Sequence, residues 1–129
     1  MSKASKILIA EDNMPNQVLI KAICDMGGYE VDIVNDGLEA IEAVKSNQYT
    51  LVLMDIHMPR MSGPEAIKAI RALPSPVQSI PIITVTADLS PETIQSCRDA
   101  GATEIETKPI DIEGLHAKMN ALIGQLEAA

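Results

Sequence analysis

Leu51-Val52-Leu53-Met54-Asp55-Ile56-His57-Met58-Pro59 decides the fold. Four apolar residues run straight into a carboxylate, and a proline stops the chain four residues after it. An unbroken apolar run of this length suits a strand buried on both faces, as in a parallel sheet covered by helices. Asp55 then stands where the strand emerges, and sites in open α/β sheets lie outside the carboxyl ends of their strands. On this stretch alone Asp55 reads equally well as a turn residue before the next helix. The other strand ends decide between the two.

Upstream, Lys6-Ile7-Leu8-Ile9-Ala10 is a second buried-strand run, ending in Glu11-Asp12-Asn13. Pro15 falls in the first turn of a helix that Asn13 can cap. Leu19, Ala22, Ile23 and Met26 share one face of that helix, and Gly27-Gly28 ends it. Glu30 to Val34 alternates polar and apolar residues, so it reads as a strand with one face less buried. Asp36-Gly37-Leu38-Glu39 has capping-box spacing and opens a short helix with Leu38, Ile41 and Val44 inward.

Downstream, Ser62-Gly63-Pro64-Glu65 is a second capping box, and Ala66, Ile67, Ile70 and Leu73 form the apolar face of its helix. Pro74-Ser75-Pro76 breaks that helix. Pro81 to Thr86 is a β-branched strand ending in a hydroxyl. Ser90 and Pro91 open a helix with only Ile94 and Cys97 as larger apolar residues, closed by Gly101, so it is predicted to be the least firmly docked. Glu104 to Thr107 is a short strand leading into Lys108-Pro109. Asp111 caps a last helix, where Ile112, Leu115, Met119, Leu122 and Leu126 keep a face over about four turns.

Strand and helix alternate five times, without repeat, low-complexity tract or linker. That pattern predicts an α/β fold, a doubly wound five-stranded parallel sheet of order 2-1-3-4-5 with its site at the β1/β3 switch point. One domain is expected over residues 1–129, its core about 6–126.

Composition narrows the function classes. Apolar residues make up 47% of the chain, yet there is no Phe or Trp and only Tyr29 and Tyr49 are aromatic, so the core is aliphatic. The seven methionines read as gap-fillers in that core. A formal charge of −8 argues against a nucleic-acid surface, which needs clustered Lys and Arg. No apolar stretch approaches the roughly 18 residues of a membrane span, and the amino terminus has no signal-type run. Cys24 and Cys97 sit in apolar helical patterns without metal-ligand spacing, so buried reduced thiols and a cytoplasmic location are expected.

Taken together, the strand ends gather Glu11-Asp12, Asp55, Thr86 and Lys108 at one sheet edge. Packing gives no reason to crowd three carboxylates, because like charges cost stability unless a cation or proton offsets them. Mg2+ prefers oxygen ligands and suits such a set. With Mg2+ and Lys108 in place, the pocket can hold a phosphoryl group while Asp55 accepts it.

With Glu11-Asp12, Met54-Asp55-Ile56-His57-Met58-Pro59, Thr86-Ala87 and Lys108-Pro109 in this order, the chain resembles the receiver domain of two-component response regulators from about Lys6 to Leu126. The resemblance implies a (βα)5 flavodoxin-like fold. It makes Asp55 the phosphoacceptor for a histidine kinase or histidine phosphotransfer protein, in a two-component system or phosphorelay. Asp12 and Asp55 would ligate Mg2+, with Glu11 acting mostly through water and His57 through its backbone carbonyl. Thr86 and Lys108 would contact phosphoryl oxygens, and Pro109 would follow a cis peptide. Such a module assists its own phosphorylation and dephosphorylation and is not an enzyme in its own right. It acts by docking a downstream protein or by passing the phosphoryl group onward, with no nucleic acid or membrane as partner.

Glu11-Asp12-Asn13 with Asn16-Gln17 is also similar to receivers attached to hybrid sensor kinases, so a receiver cut from such a kinase is the runner-up. A phosphatase with an aspartyl-phosphate intermediate is a further alternative, but it needs a second carboxylate just after the nucleophile, where His57 stands. Two residues depart from the family pattern. Ser62 replaces a common acidic residue and is explained by capping. Ile105 stands where the family often has an aromatic switch residue, so Thr86, the loop Ala87 to Ser90 and the fourth helix are expected to carry activation.

Overall fold

The structure, a computed structural model, describes residues 6–128 and the side chains of 6–124. Leu126, expected on the inner face of the last helix, lies outside the described side chains, as does the amino-terminal stretch before Lys6. The elements are β1 (Lys6–Ala10), α1 (Met14–Met26), β2 (Glu30–Val34), α2 (Gly37–Ser46), β3 (Leu51–Asp55), α3 (Gly63–Arg71), β4 (Ile82–Thr86), α4 (Pro91–Ala100), β5 (Glu104–Thr107) and α5 (Ile112–Ala128), with a 3-10 turn at Val77–Ser79. All five strands are parallel, in the order β2-β1-β3-β4-β5. This is the predicted doubly wound sheet.

Two aliphatic layers sandwich it. Successive residues of a strand point to opposite faces. Ile7, Ile9, Leu51, Leu53 and Ile83 therefore pack under α1 and α5, against Ile20, Ile23, Leu115 and Met119. Leu8, Ala10, Val52, Met54 and Ile82 face the other way, against Ala40, Val44, Ala66, Ile67 and Ile70 of α2 and α3. Every residue of β3 is buried, as its unbroken apolar run requires.

Asn13 caps α1, Ser62 and Glu65 close a complete capping box on α3, and Ser90 caps α4, all as predicted. The helix α4 buries only Cys97 and Ala100 and ends at Gly101 with φ 111°. Both cysteines are buried and free. Burial pushes the Cys24 thiol up to about 12, so it stays protonated at neutral pH.

Three predicted helix faces need correction. On α1 the buried residues are Ile20, Ile23 and Cys24, whereas Leu19 and Met26 are exposed by 38% and 69% and Ala22 also faces out. This helix is apolar on more than one side, so periodicity fits several rotations. The rotation is set by Gln17, on the same side as Ile20 and Cys24, whose amide reaches the Glu11 carbonyl and Asn35. On α2 Leu38 is exposed, because the helix docks through Gly37, whose N–H donates to the Met61 carbonyl. On α5 Ile112 is exposed and the inner line is Leu115, Met119 and Ile123. The capping box expected at Asp36-Gly37-Leu38-Glu39 is also altered. Asp36 accepts from the Glu39 N–H, but the Glu39 carboxylate reaches back to the Asn35 N–H.

Arg71 carries a role the pattern does not advertise. From the end of α3, its guanidinium donates to the carbonyls of Gln78 at 2.8 Å and Ile80 at 2.6 Å and to that of Gly101 at 2.8 and 3.0 Å. It thereby ties the 3-10 turn and the end of α4 to α3, and burial lowers the pKa of its guanidinium. Arg71→Ala should leave these carbonyls short of donors and cost about 2 to 3 kcal/mol in urea unfolding. Arg71→Lys should restore less than half of that, since one ammonium cannot reproduce the planar fork.

Candidate functional site

The β1/β3 register places the site. Ala10 pairs with Met54, so Glu11 and Asp55 leave their strands side by side. Asp12 follows in the turn before α1. After β3 the chain must turn sharply into α3, and Gly63 makes that possible. Its N–H donates to the Ile56 carbonyl at 2.8 Å, and a Cβ there would collide with the Asp55 carbonyl oxygen. Beyond β5, Lys108 precedes a cis peptide to Pro109; a second cis peptide joins Ser75 and Pro76.

Glu11, Asp12 and Asp55 each offer an oxygen within 4.8 Å of the others. Glu11 is 1% exposed and Asp55 8%, while Asp12 lies open to solvent. The Lys108 ammonium sits 3.1 Å from Glu11 Oε1 and 3.4 Å from Asp55 Oδ1. Asp55 Oδ1 also accepts from the Ile56 N–H at 2.8 Å. Burial pushes the Glu11 carboxyl up to about 7, and the neighbouring Asp55 adds to the rise, with Asn16 and Lys108 opposing it.

One lysine does not balance three carboxylates, and the buried Glu11 Oε2 has no hydrogen-bond partner. An oxygen-only donor set, one acceptor of it orphaned and one carboxylate open to solvent, fits a hard divalent cation that keeps several waters.

The other predicted residues lie at the same edge. The Thr86 side chain is buried, and its Oγ1 accepts from the Asp88 N–H at 2.9 Å, so the hydroxyl serves its own loop. The Asp88 carboxylate accepts from Thr93 Oγ1 at 2.7 Å and from the Ser90 N–H at 3.0 Å, and these bonds, Thr93 foremost, hold its pKa below the usual carboxylate range. His57 is exposed in the loop after β3. Residue patterns alone pass over Gln17, Asn35, Arg60 and Asp88. Gln17 stands beside Asn16 in the stretch that resembles hybrid-kinase receivers, which is the one signal that points to it.

Comparison with known proteins identifies the family. The family model described as the response regulator receiver domain matches residues 7–120. The chain belongs to that family. This receiver domain is 40% identical over 111 residues to the autoinducer 2 sensor kinase/phosphatase LuxQ of Vibrio parahaemolyticus, covering 86% of this chain and 13% of the kinase. It is 31% identical over 144 residues to the probable histidine kinase 1 of Oryza sativa subsp. indica, covering 88% of this chain and 15% of the kinase. The chain thus spans only a small fraction of these relatives.

Among solved structures, the receiver domain of sensor histidine kinase PA1611 from Pseudomonas aeruginosa superposes with a TM-score of 0.88 at 32% identity, over 95% of this chain and 99% of that one. That structure holds a magnesium ion in its active-site cleft. A receiver domain is the signalling module of a two-component or phosphorelay system. No helix of the described residues is long and apolar enough to cross a membrane.

Glu11→Gln keeps the shape of the buried side chain and removes one crowded charge. In metal-free buffer at pH 8 it should stabilise the fold by about 1 kcal/mol, read as a higher melting temperature. Added MgCl2 should narrow the gap, because a ligand of the native state stabilises the wild type more.

Proposed function

We propose that Asp55 is a phosphoacceptor served by a histidine kinase or histidine phosphotransfer protein, over one receiver unit spanning residues 1–129 with its core at about 6–126. The observation that carries this reading is the position of Asp55 at the end of β3, within reach of both the Lys108 ammonium and the Glu11–Asp12 pair.

Glu11, Asp12, Asp55 and the His57 carbonyl would hold Mg2+, Glu11 mostly through water. Bound there, the cation would supply charge neutralisation to the carboxylates and to the phosphoryl oxygens. An Asp55 carboxylate oxygen attacks phosphorus in line with the departing imidazole. The P–N bond breaks as the O–P bond forms, and its electron pair returns to the imidazole nitrogen. Lys108 turns from Glu11 and Asp55 toward an equatorial phosphoryl oxygen. The Thr86 hydroxyl takes another once it leaves the Asp88 N–H. The chain is therefore an acceptor that assists its own phosphorylation and dephosphorylation. The long kinases among its relatives favour a relay in which the group passes onward to a second protein.

A donor imidazole must approach over the start of α1, because Asp12 lies just before it. There Met14 and Val18 are 71% and 64% exposed, one turn apart on the same face, and Met26 continues the ridge. An exposed apolar ridge beside a charged cleft suits a protein partner that must exclude water from the transfer.

Incubation with a small acyl phosphate and MgCl2 should add one phosphate by intact mass, and Asp55→Asn should abolish it. Phosphate retained on that variant, or added without divalent metal, would refute the assignment. Val18→Asp should slow transfer from a phosphorylated histidine phosphotransfer protein about tenfold or more, a loss of about 1.4 kcal/mol. It should leave modification by the acyl phosphate unchanged.

A further inference from the structure

We propose that the turn between β2 and α2 braces the cation site, with Gln17 and Arg60 as positioning residues that set its preference for Mg2+ over Ca2+. The inference rests on the reading of Asp12 and Asp55 as cation ligands. It concerns residues that touch neither the cation nor the phosphoryl group.

The candidate ligands come from two separate loops. Glu11 and Asp12 follow β1, whereas Asp55 and His57 follow β3, and the strand pairing between them ends at Ala10 and Met54. Past that point, residues 34–39 hold both loops. On the β1 side, the Glu11 N–H donates to the Val34 carbonyl at 3.1 Å. Gln17 Nε2 donates to the Glu11 carbonyl at 2.5 Å and to Asn35 Oδ1 at 2.9 Å.

On the β3 side, Arg60 Nε and Nη2 both reach Asp36 Oδ2 at 2.7 Å, and Nη2 lies 3.6 Å from Glu39 Oε2. The two sides meet where the Asn35 N–H donates to Glu39 Oε1 at 2.9 Å. Asp36 is itself only 4% exposed, with its other oxygen accepting from the Glu39 N–H. Arg60 itself is 57% exposed, so the fixed end of the pair is Asp36, a buried carboxylate whose acceptors are divided between a helix cap and the guanidinium.

The backbone shows that the Arg60 contact does more than decorate the surface. Arg60 has φ 62°, the left-handed region that a residue with a side chain disfavours. It lies three residues after His57, where the loop must reverse toward α3. The next residue, Met61, accepts from the Gly37 N–H at 3.3 Å, and a Cβ on Gly37 would come 2.7 Å from that carbonyl. The start of α2 is therefore seated directly on the β3–α3 loop, and the Arg60–Asp36 pair holds the strained residue in register.

Rigidity of this kind bears on which cation the site prefers. Mg2+ requires near-ideal octahedral geometry at short distances, whereas Ca2+ accepts longer and irregular coordination. Loosening the brace lets the two ligand loops drift apart, which penalises Mg2+ more than Ca2+. Groups behind the ligands of metal sites typically change affinity by 10–100-fold.

The test is calorimetric titration of the purified chain with MgCl2 and with CaCl2. Arg60→Ala and Gln17→Ala should each weaken Mg2+ binding about tenfold and Ca2+ binding by less than about threefold. Arg60→Lys should recover only part of the Mg2+ affinity, since it keeps the charge and loses the fork. Arg71→Lys, which loosens α3 far from the turn, should lower the melting temperature and leave the Mg2+/Ca2+ ratio at the wild-type value. Equal loss for both cations, or a ratio unchanged in Arg60→Ala, Arg60→Lys and Gln17→Ala, overturns the brace and leaves the cation reading intact. A wild-type chain that binds neither cation overturns both.

Discussion

Everything at the carboxyl edge of the sheet follows from the need to keep Glu11, Asp12 and Asp55 together when their charges push them apart. A lone ammonium, Lys108, stands 3.1 and 3.4 Å from two of the three, and the buried Glu11 carboxyl answers the shortfall by titrating near 7. A protein selected for stability alone would replace such a cluster with apolar residues. Its retention inside a close-packed aliphatic sandwich marks an edge that gives up stability for electrostatic work, as functional sites commonly do.

The rest of the fold can be read as the support this edge requires. Parallel strands bring four chain segments to the same side of the sheet, so residues far apart in sequence become neighbours without long loops. The two aliphatic layers enclose β1 and β3, where every residue of β3 and nearly every residue of β1 is buried. Close approaches that only glycine permits, at Gly37 and Gly63, then press the following loops onto the strand ends. Placement depends on these contacts as much as on the identity of the carboxylates.

Most of this was legible in the residues. Runs such as Leu51 to Asp55 have a single reading once five of them alternate with capped amphipathic stretches. Acidic, hydroxyl and lysine residues at strand ends declare themselves because packing has no use for them there. Helix rotation was less legible. In α1, the expected face Leu19, Ala22, Ile23, Met26 and the buried line Ile20, Ile23, Cys24 share Ile23 and differ by a rotation of the helix, and the choice falls to a long-range bond from Gln17 to Asn35 that no local window contains. The same applies to Leu38, displaced because a glycine docks in its place, and to Arg71, whose carbonyl partners lie in two later segments. Periodicity reports that a face exists. Tertiary hydrogen bonds decide which way it turns.

The loop after β4 shows how such long-range bonds convert a local event into a larger one. Ile105 offers no ring to exchange between solvent and interior, and β5 is tied to α5 by Lys118, which donates to the Ile105 carbonyl at 2.9 Å and pairs with Glu106. A rigid strand carrying an aliphatic residue is a poor moving part. Thr86 is different. Its hydroxyl accepts from Asp88, and the carboxylate of Asp88 in turn holds the Ser90 N–H and the Thr93 hydroxyl in the first turn of α4. Were Thr86 to turn toward the site, the Asp88 N–H would lose its acceptor and the cap of α4 would be strained at once. That helix buries only Cys97 and Ala100, so little apolar area opposes its movement. The helix with the fewest buried residues is thus joined by three short hydrogen bonds to the Thr86 hydroxyl at the carboxyl edge of the sheet, a shorter mechanical route than any through β5.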